Sequence, residues 1–225
     1  MFKTETHLHT APVSACGKMP PEEMIRRYAE AGYTTVFVSD HFAPYHFDKL
    51  GEGSWEEKVD MLCDAYERAV VEGKKHSMNV LFSPELTLGG NHYLLYGTDR
   101  AFLKEHREFF TLSVEEMYSL VKSHGGYVIQ AHPYRDGKCN PTPTAVDGFE
   151  VLNTNPRHEN FDEKCIKLAR ETQKPVSAGS DAHRVEDIGL AAMLSDAPIV
   201  SWEQYIELLF GGKLTLFAGG KETGI

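Results

Sequence analysis

Two histidines, His7 and His9 in Glu5-Thr6-His7-Leu8-His9-Thr10, close a short β-prone run near the start of the chain. Along a strand, residues i and i+2 point to the same face. The two imidazoles therefore aim at one spot while Leu8 packs the other way. A divalent metal is the simplest reason to aim neutral imidazoles at one point. The plain alternative is a chance H-x-H in a chain with 11 histidines. What decides between them is where the other His, Asp and Glu residues fall.

They fall at strand ends. Phe2–Thr6 reads as the first strand, and the β-prone run Thr34–Val38 ends at Ser39-Asp40-His41. Met78–Phe82 ends at Ser83-Pro84-Glu85, and Tyr127–Gln130 ends at Ala131-His132-Pro133. Pro175–Ala178 ends at Gly179-Ser180-Asp181-Ala182-His183, where Asp181 and His183 repeat the spacing of the first pair. His92 is the exception, because it opens its strand, His92–Tyr96.

Helices alternate with these runs. One opens at Pro20-Pro21-Glu22-Glu23, with proline and acids in its first turn, and stops at Gly32. Others cover Trp55 to about Gly73 (with Ser54 as N-cap), Asp99–Phe110, Ser113–His124, Asn160–Thr172 and Trp202–Phe210. Further strands are expected at Gly148–Val151, Ala191–Leu194 and Leu214–Phe217. Such alternation implies parallel β-α units in an α/β fold. Ligands at the C-terminal ends of strands are where α/β barrels place their sites. One barrel-like domain over residues 1–225 is the expectation, and 225 residues suffice to bury a large core without staples.

Eight residues make up the expected centre: His7, His9, His41, Glu85, His92, His132, Asp181 and His183. At four or five ligands per ion this mixed N/O set fits two divalent metals and reaches toward three, with Zn, Mn or Fe as candidates. Ions about 4 Å apart clamp the attacking and leaving oxygens of an in-line displacement, and they make hydroxide from bound water near neutral pH. Two carboxylates leave such a site positive, so an anionic, phosphorylated substrate is expected. Arg135, Arg157 and Arg184 are candidates for gripping its phosphate, since a guanidinium fork matches phosphate oxygens. His124 stands at a helix C-terminus, and His46, His76, His106 and His158 read as surface residues.

Composition narrows the partners. The net charge of -10, from 33 acidic and 23 basic residues, disfavours a broad nucleic-acid grip. No run reaches the length of a membrane span, and the first residues lack a secretory leader pattern. Cys16, Cys63, Cys139 and Cys165 form no C-x-x-C pair, so free thiols in a reducing cytoplasm are expected.

The motif set resembles the polymerase-and-histidinol-phosphatase (PHP) family of metal-dependent phosphoesterases. The resemblance rests on His7-Leu8-His9-Thr10, Ser39-Asp40-His41, Glu85 with His92, His132-Pro133 and Gly179-Ser180-Asp181-Ala182-His183, in the family's order. It implies a distorted (β/α)7 TIM-like barrel with a trinuclear site that hydrolyses phosphoesters, with Glu85, His132 and Asp181 at the reacting centre. By that resemblance His7, His9, Glu85 and Asp181 hold one metal. Glu85 bridges to a second held by His92 and His132, while His41 and His183 hold a third. One departure stands out. Many members carry an Asp, Glu or His five or six residues after the second histidine as a third-metal ligand, and here the segment reads Val13-Ser14-Ala15-Cys16, with Cys16 a remote substitute. The leading expectation is a phosphatase acting on a small phosphomonoester. The alternatives are a phosphodiesterase or exonuclease on short oligonucleotides, and a non-catalytic metal-binding domain.

Overall fold

Strands buried on both faces must be near-continuous apolar runs, and the central strands here are. Phe37, Val38, Leu94, Leu95, Val128, Ile129 and Phe149 are all fully buried. The computed structural model describes residues 1–223, and among these the chain forms twelve strands and seven α-helices. The strands are β1 (Phe2–Leu8), β2 (Thr35–Val38), β3 (His41–Phe42), β4 (Asn79–Phe82), β5 (Glu85–Leu88) and β6 (Asn91–Tyr96), followed by β7 (Tyr127–Ala131), β8 (Gly148–Asn153), β9 (Val176–Gly179), β10 (Ala191–Ser195), β11 (Thr215–Ala218) and β12 (Lys221–Thr223). The helices are α1 (Pro21–Glu30), α2 (Pro44–Lys49), α3 (Trp55–Lys75), α4 (Arg100–Glu105), α5 (Val114–Ser123), α6 (Asp162–Thr172) and α7 (Trp202–Phe210).

The result is a mixed α/β fold of two six-stranded sheets, ordered β12-β11-β10-β1-β2-β4 and β3-β5-β6-β7-β8-β9. The sheets touch along two seams. At one, the β2/β4 pairing runs on into β3/β5: Ser83 N–H donates to Val38 O and Glu85 N–H to Asp40 O. At the other, β1 meets the segment after β9: His9 N–H donates to Ala182 O, and Leu8 and Ala182 form a parallel bridge.

The expectation of uniformly parallel units needs correction. Strand β6 runs antiparallel to both β5 and β7, and β1 pairs antiparallel with β10. The Gly89-Gly90 turn, with both residues at positive φ, folds β5 straight back into β6 without a crossover helix. This reversal explains His92. The start of an antiparallel strand lies beside its neighbours' ends, and His92 pairs in register with Ala131, next to His132.

Local signals set the helices. Ser54 with Glu57 and Ser113 with Glu116 form capping boxes at α3 and α5. The expected helix over Asp99–Phe110 ends sooner, because α4 stops at Glu105 and a 3-10 turn, Arg107–Thr111, follows. Helix α3 buries Val59, Leu62, Cys63, Ala65, Ala69 and Gly73 along one stripe. An aromatic cluster of Phe42, Phe47, Trp55, Phe109 and Phe110 seals the side next to β3.

Gly73 shows two opposed effects. Replacing a helical glycine with alanine ordinarily stabilises by ~1 kcal/mol. Here an added Cβ would lie 2.5 Å from Val80 Cγ2 and 2.9 Å from the Met78 carbonyl oxygen. Overpacking of this kind costs about 1–3 kcal/mol and should win. Urea denaturation of Gly73→Ala is expected to show a net loss of stability, and a gain would contradict this packing.

Candidate metal centre

All eight expected residues meet at one place, where the two seams bring the sheets together. His7 Nε2 lies 3.1 Å from His9 Nε2, 3.2 Å from Glu85 Oε1 and 3.6 Å from Asp181 Oδ1. His9 Nε2 is 2.9 Å from Asp181 Oδ1. Around Glu85 stand His41 Nδ1 at 2.6 Å, His92 Nδ1 at 3.2 Å and His132 Nε2 at 3.2 Å. The His183 ring stacks on His9 with centroids 4.4 Å apart, and its Nδ1 lies 2.7 Å from Asp181 O. The two i, i+2 pairs thus come from different sheets and touch.

Backbone geometry sharpens the aim. A register shift in β1 between Glu5 and Leu8 marks an irregularity of the sort that re-aims side chains beside active sites. His132 at φ 31 and Asp181 at φ 50 sit in left-handed backbone, which costs a non-glycine residue about 1 kcal/mol or more. Gly179 lets the strands close up. A Cβ there would stand 2.5 Å from Glu150 Oε1 and 2.7 Å from His7 Cβ.

A ring of buried acids holds the ligands. Glu150 Oε1 takes His7 Nδ1 at 3.0 Å, which leaves Nε2 free to face the centre. Ser14 Oγ lies 3.3 Å from His9 Nδ1 and donates to Asp40 Oδ1 at 2.7 Å. Asp40 also accepts from Thr10 N–H and Oγ1–H, both at 2.5 Å. Glu5 accepts from Thr6 N–H, His7 N–H, Ser180 N–H, Ser180 Oγ–H and Tyr28 O–H. Asn155 donates to both oxygens of Asp181 that face it, the backbone O and Oδ2.

The electrostatics are those of a charged cluster cut off from water. Burial pushes the Glu85 carboxyl up, but the neighbouring His92, His7 and His41 rings outweigh it and hold the group well below its usual range. Asp181 is likewise held down against burial, by Arg135 first and then His7. Burial lowers His9, and the neighbouring His41 and His183 drive it further down. His7 goes the other way, because Glu150, Asp181 and Glu85 overcome its burial. The rings and the two buried carboxylates thus shift one another. Even so, His41 Nδ1, His92 Nδ1, His132 Nδ1 and Glu85 Oε2 are buried with no directed hydrogen bond.

The three arginines are placed differently. Arg135 forms an ion pair with Asp181, Nη2 to Oδ2 2.6 Å, and donates to Asn153 and Asn160. Arg157 makes a bidentate pair with Asp187 at 2.9 and 2.6 Å. Arg184 is the most exposed of the three, 3.9 Å from Glu186, and lines a cavity of about 210 Å³ with Cys16, Lys18, His158 and His183.

Several residues were missed. Glu5, Asp40 and Glu150 carry no spacing signal, but each is an acid inside or just after a run buried throughout, and that conflict was the available clue. His46, expected at the surface, is half-buried and stacks on His41 with centroids 4.0 Å apart. Cys16 Sγ lies 3.2 Å from His41 Nε2, well inside the cluster's reach.

The junction of the two sheets in this α/β fold thus carries a buried imidazole–carboxylate centre whose groups could hold metal ions. A family model described as PHP-associated matches residues 160–213, the segment that carries Asp181 and His183. No curated protein matches in sequence. In structure the chain is similar to a two-domain protein from Bacteroides vulgatus containing a predicted PHP-like metal-dependent phosphoesterase. The TM-score is 0.73 at 13% identity, over 99% of this chain and 66% of that one. It is similar to an amidohydrolase from Chromobacterium violaceum with bound sulfate and no metal, at TM-score 0.58 and 17% identity, over 94% and 96% of the two chains. It is also similar to a lesion-specific endonuclease from Pyrococcus furiosus, at TM-score 0.58 and 13% identity, over 93% and 56%. The chain shares its fold with these structures, and its segment 160–213 is similar to the PHP-associated family. It spans just under two thirds of the first of these structures and little more than half of the third.

Glu5 offers a pH test. Burial pushes its carboxyl up to about 7 against its hydrogen-bond donors, from 4.5 in a free chain. Between those values the native state binds more protons than the unfolded chain, so this group loses stability as pH rises from 4.5 to 7. The full effect is on the order of 3 kcal/mol. Denaturation of the wild type and Glu5→Gln at pH 5 and pH 7 should show the wild type losing ground to the variant as pH rises. An unchanged difference would contradict it.

Proposed function

We propose that the chain is a metal-dependent phosphoesterase acting on a small phosphomonoester, with histidinol-phosphatase-like chemistry. The observation that carries this is the convergence of the His7 and His9 Nε2 atoms with the oxygens of Glu85 and Asp181, beside buried ring nitrogens that make no directed hydrogen bond. Six imidazoles and two carboxylates suit two or three divalent ions of the Zn, Mn or Fe kind. Such ions, when bound, supply Lewis acidity and activated water. Glu85, central among the rings, would hold ions together with His132 and Asp181, which flank it. Arg135 orients Asp181, and Arg184 is the guanidinium placed to meet a phosphate. The continued pairing at one seam and the Leu8–Ala182 bridge at the other support closure of β1 through β9 into a distorted (β/α)7 barrel. Among the described residues no helix is long and apolar enough to cross a membrane. The four cysteines are unpaired, as suits a cytoplasmic protein.

The PHP-like name of one structural relative supports the phosphoester reading, and the sulfate named with another supports an oxyanion substrate. The net charge of -10 favours a small substrate over a nucleic acid. With Mn or Zn present, hydrolysis of an aryl phosphate should exceed that of a bis-aryl phosphodiester. Glu85→Gln should reduce it by on the order of 100-fold or more. Equal rates for the two proteins would remove catalysis from this centre, and faster diester cleavage would favour the phosphodiesterase. Chelation should also lower the melting temperature, by roughly 5–10 °C for ions present at 100 times their Kd. An unmoved melting curve would contradict metal binding.

A further inference from the structure

The loop after His9 brings a sulfur to the cluster. Ser14 N–H donates to Thr10 O, Gly17 N–H to Ser14 O and Lys18 N–H to His183 O, each at 2.9 Å. Gly17 is packed so closely that a Cβ would stand 2.9 Å from the Thr10 carbonyl carbon. Ala15 N–H donates to His46 Nδ1 at 3.1 Å, which ties the loop to α2. These contacts turn Cys16 inward, with Sγ 3.2 Å from His41 Nε2 and beside the cavity that His183 also lines.

The thiol does not stand alone. Ligand atoms of Cys16, His41 and His46 lie within 4.8 Å of one another, as do those of His9, His41 and His183. His41 is 8% exposed; its Nε2 faces the thiol, and its Nδ1, which makes no directed hydrogen bond, lies 2.6 Å from Glu85 Oε2. An imidazole pair that needs one more ligand, with a sulfur at hand, describes an N/S coordination position.

We propose that Cys16 is a ligand of a third divalent ion, completing His41 and His183 where PHP relatives place an acid or imidazole. This rests on the phosphoesterase reading and goes beyond it in metal chemistry. Sulfur ligation makes the third position softer than the carboxylate-bearing positions, so it selects Zn or Fe over Mn or Mg. It also exposes the position to loss by oxidation or alkylation of one thiol. His46 acts as a positioning residue, because it fixes the backbone on which Cys16 sits.

Loading the metal-free protein with Co²⁺ tests this without an activity assay. The wild type should bind three ions per chain and show a near-ultraviolet thiolate-to-cobalt charge-transfer band. Cys16→Ser should bind two ions and lose the band, while Cys16→Asp should regain the third ion without the band. Three ions in the wild type with no band would overturn the proposal, as would equal stoichiometry and spectra for wild type and Cys16→Ser. Two ions in both proteins with aryl phosphate hydrolysis intact would overturn it alone, whereas no ion in either would overturn the hydrolase reading too. Should the variants fail to fold, iodoacetamide labelling of wild-type Cys16, located by peptide mass, gives the answer. Zn²⁺ should slow it tenfold or more, and labelling at an equal rate with Zn²⁺ bound would refute sulfur ligation.

Discussion

Two carboxylates, Glu85 and Asp181, are buried at 1% exposure where the two sheets meet, and the neighbouring chain is built to keep them ionised. A buried carboxylate without compensation is costly enough to take up a proton instead. Here that outcome is opposed by six imidazoles, by Arg135 on Asp181 and by Asn155 on the same group. The charge demand explains why residues from β1, β3, β5, β6, β7 and the segment after β9 converge. β5 and the segment after β9 bring the two acids, and His183 with the other strands brings the nitrogens that surround them.

Around that pair lies a second set of acids with a different task. Glu150 takes the far nitrogen of His7, Asp40 organises the Thr10–Ser14 turn, and Glu5 gathers donors from β1, α1 and the Ser180 turn. A ring nitrogen committed to a carboxylate fixes the ring's orientation and frees the other nitrogen for the centre. The left-handed backbone at His132 and Asp181 belongs to the same arrangement, since strained conformations persist only where the surrounding contacts over-determine them.

Much of this was legible in the chain. The i, i+2 spacing of His7 with His9 and Asp181 with His183 predicted pairs on one face, and the structure brings both pairs together. Strand ends predicted the location, and the odd placement of His92 resolved into an antiparallel strand. The supporting acids were illegible because their partners are distant in sequence: Glu150 meets His7 across 143 residues, and Glu5 meets Ser180 across 175. His46 escaped for another reason, and Cys16 was legible only as a remote substitute. They stand on a loop and a short helix, where no periodicity tells which way a side chain turns, and only the folded contacts of Ala15 and Gly17 settle it. Arg157 looked available for an anion because its partner Asp187 lies 30 residues on.

The central claim is that this cluster is a metal centre, and anomalous diffraction from crystals grown with Zn²⁺ tests it most directly. Strong peaks should appear between the Nε2 atoms of His7 and His9 and the carboxylates of Asp181 and Glu85, with another beside His92 and His132. Full-strength peaks only at surface histidines, with none inside the cluster, would contradict it.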